Sequence, residues 1–162
     1  MKKQEKEHKD KNIKIVCRNK RARFDYELED HFEAGMVLTG TEVKSLRHGK
    51  ASLSDSYAKI EDGEVWLIKA NISPYPFAHY DNHEPERKRK LLLKKKEIAK
   101  LFSRTQERGQ SLIPLAIYFR DGYAKVELAL AKGKKIYDKR QDLKRKDADR
   151  EMARAFRRRS EY

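Results

Sequence analysis

Two Asp-Gly dipeptides constrain this chain more than any other feature. Asp62-Gly63 separates the apolar runs 56–60 and 65–72, and Asp121-Gly122 separates 112–119 from 123–130. A two-residue hairpin turn needs positive backbone φ at both central positions, which Gly adopts freely and Asp tolerates, so each dipeptide folds its flanks into an antiparallel hairpin. Between the hairpins, Ser73-Pro74-Tyr75-Pro76 breaks regular structure, and Ile98, Leu101, Phe102 and Thr105 then recur at helical spacing towards a stop at Gly109. Upstream, residues 13–17 read as a strand, and Phe24, Tyr26 and Leu28 alternate with Asp25, Glu27 and Glu29 as a second. A basic turn from Arg18 to Arg23 joins them. A third strand spans 33–38, with Gly35 permitting a bulge or close approach. Thr39 and Glu42 form a capping box for a short helix that uses Val43 and Leu46 and ends at Gly49. The pattern predicts a mainly β fold, a small antiparallel oligonucleotide-binding-type barrel with two to three helices and a basic C-terminal tail. A two-layer α+β sandwich fits the same elements.

Charge divides the chain into three parts. Residues 1–23 hold ten Lys/Arg against three Asp/Glu, residues 132–162 hold thirteen against six, and the stretch between balances at seventeen each. The whole net charge of +14 therefore lies on the flanks. Residues 1–12 carry no apolar side chain after Met1 and are expected to be a disordered basic N-terminus. Residues 13–131 are the expected barrel domain. Residues 132–162 form a basic tail whose stripe Ala148, Met152, Ala155 and Phe156 is too thin to hold a helix alone, so it is expected to be disordered in solution and helical on a partner. Basic arms on a neutral module grip a polyanion. Anionic lipid is one such surface, but neither arm has the continuous apolar face of an interfacial helix, and nucleic acid is the better match.

The single cysteine, Cys17, forms no disulfide within the chain and reads as a small apolar strand residue, which suits a reducing, cytoplasmic compartment. The N-terminus lacks a signal-peptide apolar run, and no uncharged stretch approaches the roughly eighteen residues that span a bilayer. The five histidines show no metal-ligand spacing, and no nucleophile with its base or phosphate-cradling Gly loop is present, so neither enzyme activity, metal nor cofactor is expected.

Candidate RNA contacts follow from charge and alternation. Lys20, Arg21 and Arg23 lie in the basic turn. Arg87, Lys88, Arg89 and Lys90, then Leu91, Leu92 and Leu93, then Lys94, Lys95 and Lys96 place seven cations in ten residues around three leucines. An exposed leucine there would stack on an unpaired base, but composition does not choose among the three. Lys125 faces away from Val126, Leu128 and Leu130 and so points outward, with Tyr123 on the same side. Aromatics near basic runs are few, mainly Tyr75, Phe77, Tyr80 and Tyr123, where a general single-strand binder should spread them along a groove.

Several strings carry a resemblance: Asn19-Lys20-Arg21-Ala22-Arg23, Phe32-Glu33-Ala34-Gly35, Leu38 through Arg47, Gly49-Lys50-Ala51, Asp55-Ser56-Tyr57, Gly63 through Leu67, Arg89 through Leu93, Ala131 through Lys135, and Asp138-Lys139-Arg140. In order and spacing they resemble the bacterial SsrA-binding protein (small protein B) family from about residue 13 to 150. Phe24 stands where His is common in that family, and Ser103 where Gly is common. The resemblance implies binding to the tRNA-like domain of transfer-messenger RNA (tmRNA) and delivery of that RNA, with elongation factor Tu and GTP, to ribosomes stalled on truncated messages. It further implies a tail that probes the empty mRNA channel and small-subunit decoding centre; a monomer is expected. By the same resemblance, RNA-binding positions fall on Glu33, Leu92 and Lys125, and ribosome-engaging positions on Gly133, Lys134, Lys135, Asp138, Lys139 and Arg140. Met152 and Phe156, from the tail's own apolar stripe, are expected to engage the ribosome with them. A general single-strand binder and a structural ribosomal component are the competing readings of the residues.

Overall fold

The computed structural model describes residues 12–159, so the N-terminal segment expected to be disordered lies, apart from Asn12, outside the described residues. The elements in order are β1 (Ile13–Arg18), α1 (Ala22–Asp25), β2 (Tyr26–Met36), α2 (Gly40–Arg47), β3 (Ala51–Ser52), β4 (Tyr57–Glu61), β5 (Glu64–Ile68), β6 (Asn71–Ile72), β7 (Arg89–Leu92), α3 (Lys95–Thr105), β8 (Gln110–Arg120), β9 (Tyr123–Gly133) and α4 (Ile136–Arg159). Strand neighbours run β8-β4-β5-β7-β2-β9 and return to β8, closing an antiparallel barrel. Closure rests on the length of β8, which pairs with β9 along its course, with β1 through 116–120 and with β4 at Leu112. The short pair β3–β6 forms a separate ribbon.

Both hairpins have the expected turns: φ is positive at Asp62 (51°), Gly63 (74°), Asp121 (51°) and Gly122 (83°). Several boundaries differ from the sequence expectation. Phe24 and Asp25, read as the start of the second strand, belong to α1, because their N–H groups both turn back to Arg21 O at 2.9 Å. The second and third strands are one continuous β2, because a bulge between Leu28 and His31 absorbs the polar Glu29-Asp30 step within the ladder. The run 65–72 is cut at Lys69, whose φ of 57° ends β5 and sends the chain into β6. Helix α3 passes through Ser103 and stops at Thr105, so Gly109 opens β8 instead of capping the helix. Strand β9 continues through Gly133, two residues past the expected domain edge at Ala131.

Inside the barrel, Leu46, Leu53, Val65, Leu67, Ile72, Leu91, Leu101, Ile117, Val126, Leu128 and Leu130 form the core. Leu101 is the fully buried contribution of α3, and truncating such a leucine to Ala costs about 2–5 kcal/mol. A smaller cluster of Ala22, Ile113, Leu115, Ala129 and Ala131 lies where α1 packs on the wall. There Pro114, which has no N–H for the ladder, coincides with a register shift in β8. Its carbonyl accepts the Asn19 side-chain amide, which also donates to Leu53 O, while Asn19 Oδ1 accepts the Ala22 N–H. Asn19 thus fastens the basic turn to the barrel. No helix among the described residues is long and apolar enough to cross a membrane.

Candidate nucleic-acid interface

Five strands lay out one outward-facing row. The pairings Leu92↔Gly35, Gly35↔Lys125, Lys125↔Tyr118 and Tyr118↔Ile15 cross β7, β2, β9, β8 and β1 in sequence. Directly opposed residues project to the same side of a sheet. Their chain neighbours Leu91, Ala34, Val126 and Ile117 are all core residues, so the row faces outward. Leu91 is 2% exposed and Leu92 52%, which settles which leucine is displayed. Gly35 keeps the row flat beneath it: a Cβ at that position would stand 3.4 Å from Leu92 Cβ. Lys125, half-buried in the same row, makes no ion pair among the described residues.

Glu33 stands on the same side, two residues before Gly35 in β2. Its Oε2 accepts hydrogen bonds from the Tyr118 hydroxyl and from Arg120 Nη1. Burial, reinforced by the Glu33 carboxylate, pushes the Tyr118 phenol well above its ordinary value, so it stays protonated as a donor. The clamp fixes one carboxylate oxygen and leaves acceptor capacity on the other. Sequence reasoning missed Tyr118 and Arg120, yet the signal existed: the two-residue turn at Asp121-Gly122 sets Arg120 opposite Tyr123 and Tyr118 opposite Lys125.

Lys20 and Arg23 line a groove of about 530 Å³ with Tyr118, Arg120 and Glu127, adjoining the row. Arg21 goes elsewhere. It lines a separate cavity of about 650 Å³ with Asp55 and Tyr57, and its Nε lies 3.7 Å from Asp25.

The basic run 87–90 is largely turned to internal use, and for Arg89 this is a correction. Arg89 is 0% exposed, and its five N–H groups reach Glu42 Oε1 (2.8 Å) and the carbonyls of Ala70, Arg87, Glu84 and Pro85. All five donors of the guanidinium are satisfied inside the protein, so it cannot touch RNA. Arg87 sends Nε and Nη2 to the same carboxylate at 2.7 and 2.6 Å. Glu42 is itself fully buried and also accepts the Thr39 N–H at 2.8 Å, so the capping carboxylate is at once the centre of an Arg–Glu–Arg triad. Burial pushes the Glu42 carboxyl upward, but the bonds from Arg87 and Thr39 and the Arg89 charge outweigh it and hold the group below the usual carboxylate range. Lys90 is half-buried on the outer side of β7 and pairs with Glu64, and Lys88 pairs with Glu61.

The tail leaves the barrel at Gly133, the last residue of β9, opposite Tyr26. The Lys134 N–H donates to Asp25 O at 3.0 Å, and its Nζ donates to Arg23 O and pairs with Asp142, lowering that carboxyl's pKa. Lys139 reaches Asp25 at 3.2 Å, and Lys139 and Lys146 stand 5.9 and 5.6 Å from the Phe24 ring centroid. The first turns of α4 are thereby attached to α1. Lys135, Asp138 and Arg140 are exposed, as are Met152 and Phe156 farther along. The apolar stripe of α4 has no covering partner among the described residues.

A cationic and apolar face with one clamped carboxylate suits structured RNA that presents unpaired bases. The family model described as SmpB protein matches residues 16–158. The SsrA-binding protein of Geobacter metallireducens is 59% identical over 147 residues, covering 91% of this chain and 96% of the relative. That of Thermobifida fusca is 55% identical over 159 residues, covering 98% and 99%. Among solved structures, a chain described as "tmRNA-SmpB: a journey to the center of the bacterial ribosome" superposes with a TM-score of 0.64 at 51% identity, covering 74% of this chain and 85% of that one.

Proposed function

The chain belongs to the SmpB protein family, and from that premise we propose that it binds the tRNA-like domain of tmRNA and carries that RNA to stalled ribosomes in trans-translation. The supporting observation is the row Leu92–Gly35–Lys125 with Glu33 beside it, which sets an apolar contact, a cation and an oriented carboxylate on one flat wall. Leu92 packs on an unpaired base, Lys125 neutralises a phosphate, and the free lone pairs of Glu33 accept a base N–H. Lys20 and Arg23 extend the phosphate contact along the groove. Arg87 contributes by holding β7 through its pair with Glu42, while Lys90, on the outer side of β7, is held by its pair with Glu64.

The tail serves the ribosome. Gly133, Lys134 and Lys135, then Asp138, Lys139 and Arg140, stand at the decoding centre of the small subunit, and Met152 and Phe156 anchor α4 in the empty message channel, where rRNA phosphates relieve repulsion among its arginines. Elongation factor Tu with GTP joins through tmRNA, and the chain works as a cytoplasmic monomer that binds and positions without a chemical step of its own. Electrophoretic titration against the tRNA-like domain and an unstructured RNA of equal length tests the proposal. Preference for the folded RNA by at least about tenfold, roughly 1.4 kcal/mol, is expected, and equal affinity overturns it.

A further inference from the structure

The sixteen residues between β6 and β7, 73–88, form a loop built with more care than a linker needs. Asn82 closes it: its Oδ1 accepts the N–H groups of Tyr75 and His83, both at 3.1 Å, and its Nδ2 donates to Tyr75 O at 2.9 Å. His83 is buried beneath, with Nε2 2.8 Å from Ile72 O and Nδ1 2.9 Å from Thr41 Oγ1. A carbonyl only accepts, so Nε2 carries a proton. From below, Arg89 holds the carbonyls of Glu84 and Pro85.

On this anchored base the loop displays aromatic rings. Phe77 is 72% exposed and Tyr80 88%. Tyr75 is stacked on His48 (centroids 6.2 Å apart, 22° between planes), meets Phe77 edge-on at 5.6 Å, and has Lys44 Nζ 5.4 Å from its centroid. Lys44, Arg47 and Lys50 are exposed along the adjoining end of α2 and the turn after it, with no ion pair among the described residues. The dipole at a helix C-terminus accounts for cations there, but not for two uncovered rings beside them.

We infer that this loop is a second RNA contact, a stacking platform on which Phe77 and Tyr80 take unpaired bases while Lys44, Arg47 and Lys50 neutralise the flanking phosphates. Exposed π-faces next to cations are the combination that holds single-stranded nucleic acid without sequence preference. None of these residues belongs to the Leu92–Lys125 row, and the inference does not depend on which RNA that row takes.

The test uses the full chain and a fluorescein-labelled single-stranded octamer of 5-bromouridine, with and without saturating tRNA-like RNA. The double variant Phe77→Ala/Tyr80→Ala is expected to bind the octamer roughly tenfold or more weakly with an unchanged salt slope, while keeping its affinity for the tRNA-like RNA. Lys44→Ala/Arg47→Ala is expected to lower the slope by about 1.4, two phosphates at the single-strand value. Photocross-links should map to Tyr75, Phe77 or Tyr80. Unchanged octamer affinity in the aromatic variant, or cross-links confined to the tail, overturns the platform and leaves the rings to a protein partner. An equal loss of tRNA-like RNA binding overturns its separateness. A wild-type chain that binds the octamer through Phe77 but shows no preference for the tRNA-like RNA refutes the Leu92–Lys125 reading alone.

Discussion

Leu92 and Lys125 share a row but should fail in different ways when removed. About half of the Leu92 side chain is already covered, so an RNA base can remove only the remaining half from water. Full burial of a leucine is worth about 1.5–3 kcal/mol, which makes Leu92→Ala worth about 1 kcal/mol, a five- to tenfold loss of affinity independent of salt. Lys125→Ala removes one phosphate contact and should reduce the slope of log affinity against log salt by about 0.7–0.9. Gly35 lies between them, so the two side chains are two strand spacings apart, roughly 9.5 Å, and their effects should add to within about 0.5 kcal/mol. Filter binding to the tRNA-like RNA at four potassium chloride concentrations measures both quantities at once. Equal slopes for the two single variants would refute the division between apolar and electrostatic contact, and strong non-additivity would refute their independence.

Three further outcomes are expected. Glu42→Gln leaves Arg89 charged and buried beside a neutral amide, a loss of about 3–5 kcal/mol in urea denaturation; because the folded pKa of Glu42 is depressed, its contribution is present above the ordinary carboxylate pKa of about 4.3 and fades as pH falls through the lower folded value, so the gap between wild type and variant should narrow in acid. Gly35→Val, which suits a strand but puts bulk against Leu92 Cβ, should weaken tRNA-like RNA binding about tenfold while the melting temperature stays within a few degrees, and unchanged affinity would remove the need for a flat row. Truncation after Lys135, past the last pairing of β9, should leave the tRNA-like RNA affinity within about tenfold while abolishing tagging of stalled chains in a translation assay.

The sequence exposed what local chemistry dictates. Asp-Gly turns require positive φ, so both hairpins and the outward direction of Lys125 were legible, and from the second turn Tyr118 could have been placed opposite Lys125. The fate of Arg87 to Lys90 was not. Alternation along β7 sends Arg89 and Leu91 inward and Lys90 and Leu92 outward, but the opposite phase reads equally well until Glu42, 47 residues away, is known to be waiting inside. Likewise the Glu29-Asp30 step looks like a loop because a bulge leaves no mark in hydrophobic pattern, and only pairing to β9 reveals one strand. The stripe of α4 was visible, but its attachment through Lys134, Lys139 and Asp142 to α1 depends on contacts between distant segments.

Those internal pairings also explain where the unpaired charge ends up. Arg87 and Arg89 meet Glu42, Lys88 meets Glu61, Lys90 meets Glu64, Lys100 meets Asp30, Arg104 meets Glu29 and Arg120 meets Glu33. The neutral barrel is thus neutral by pairing, and cations without a carboxylate stand out against it. Lys94, Lys95 and Lys96 are exposed at the start of α3, where the helix dipole is positive and disfavours them. Glu97, which accepts the Lys94 N–H, offsets that arrangement only in part. A bound anion at this helix end would relieve both their mutual repulsion and the dipole.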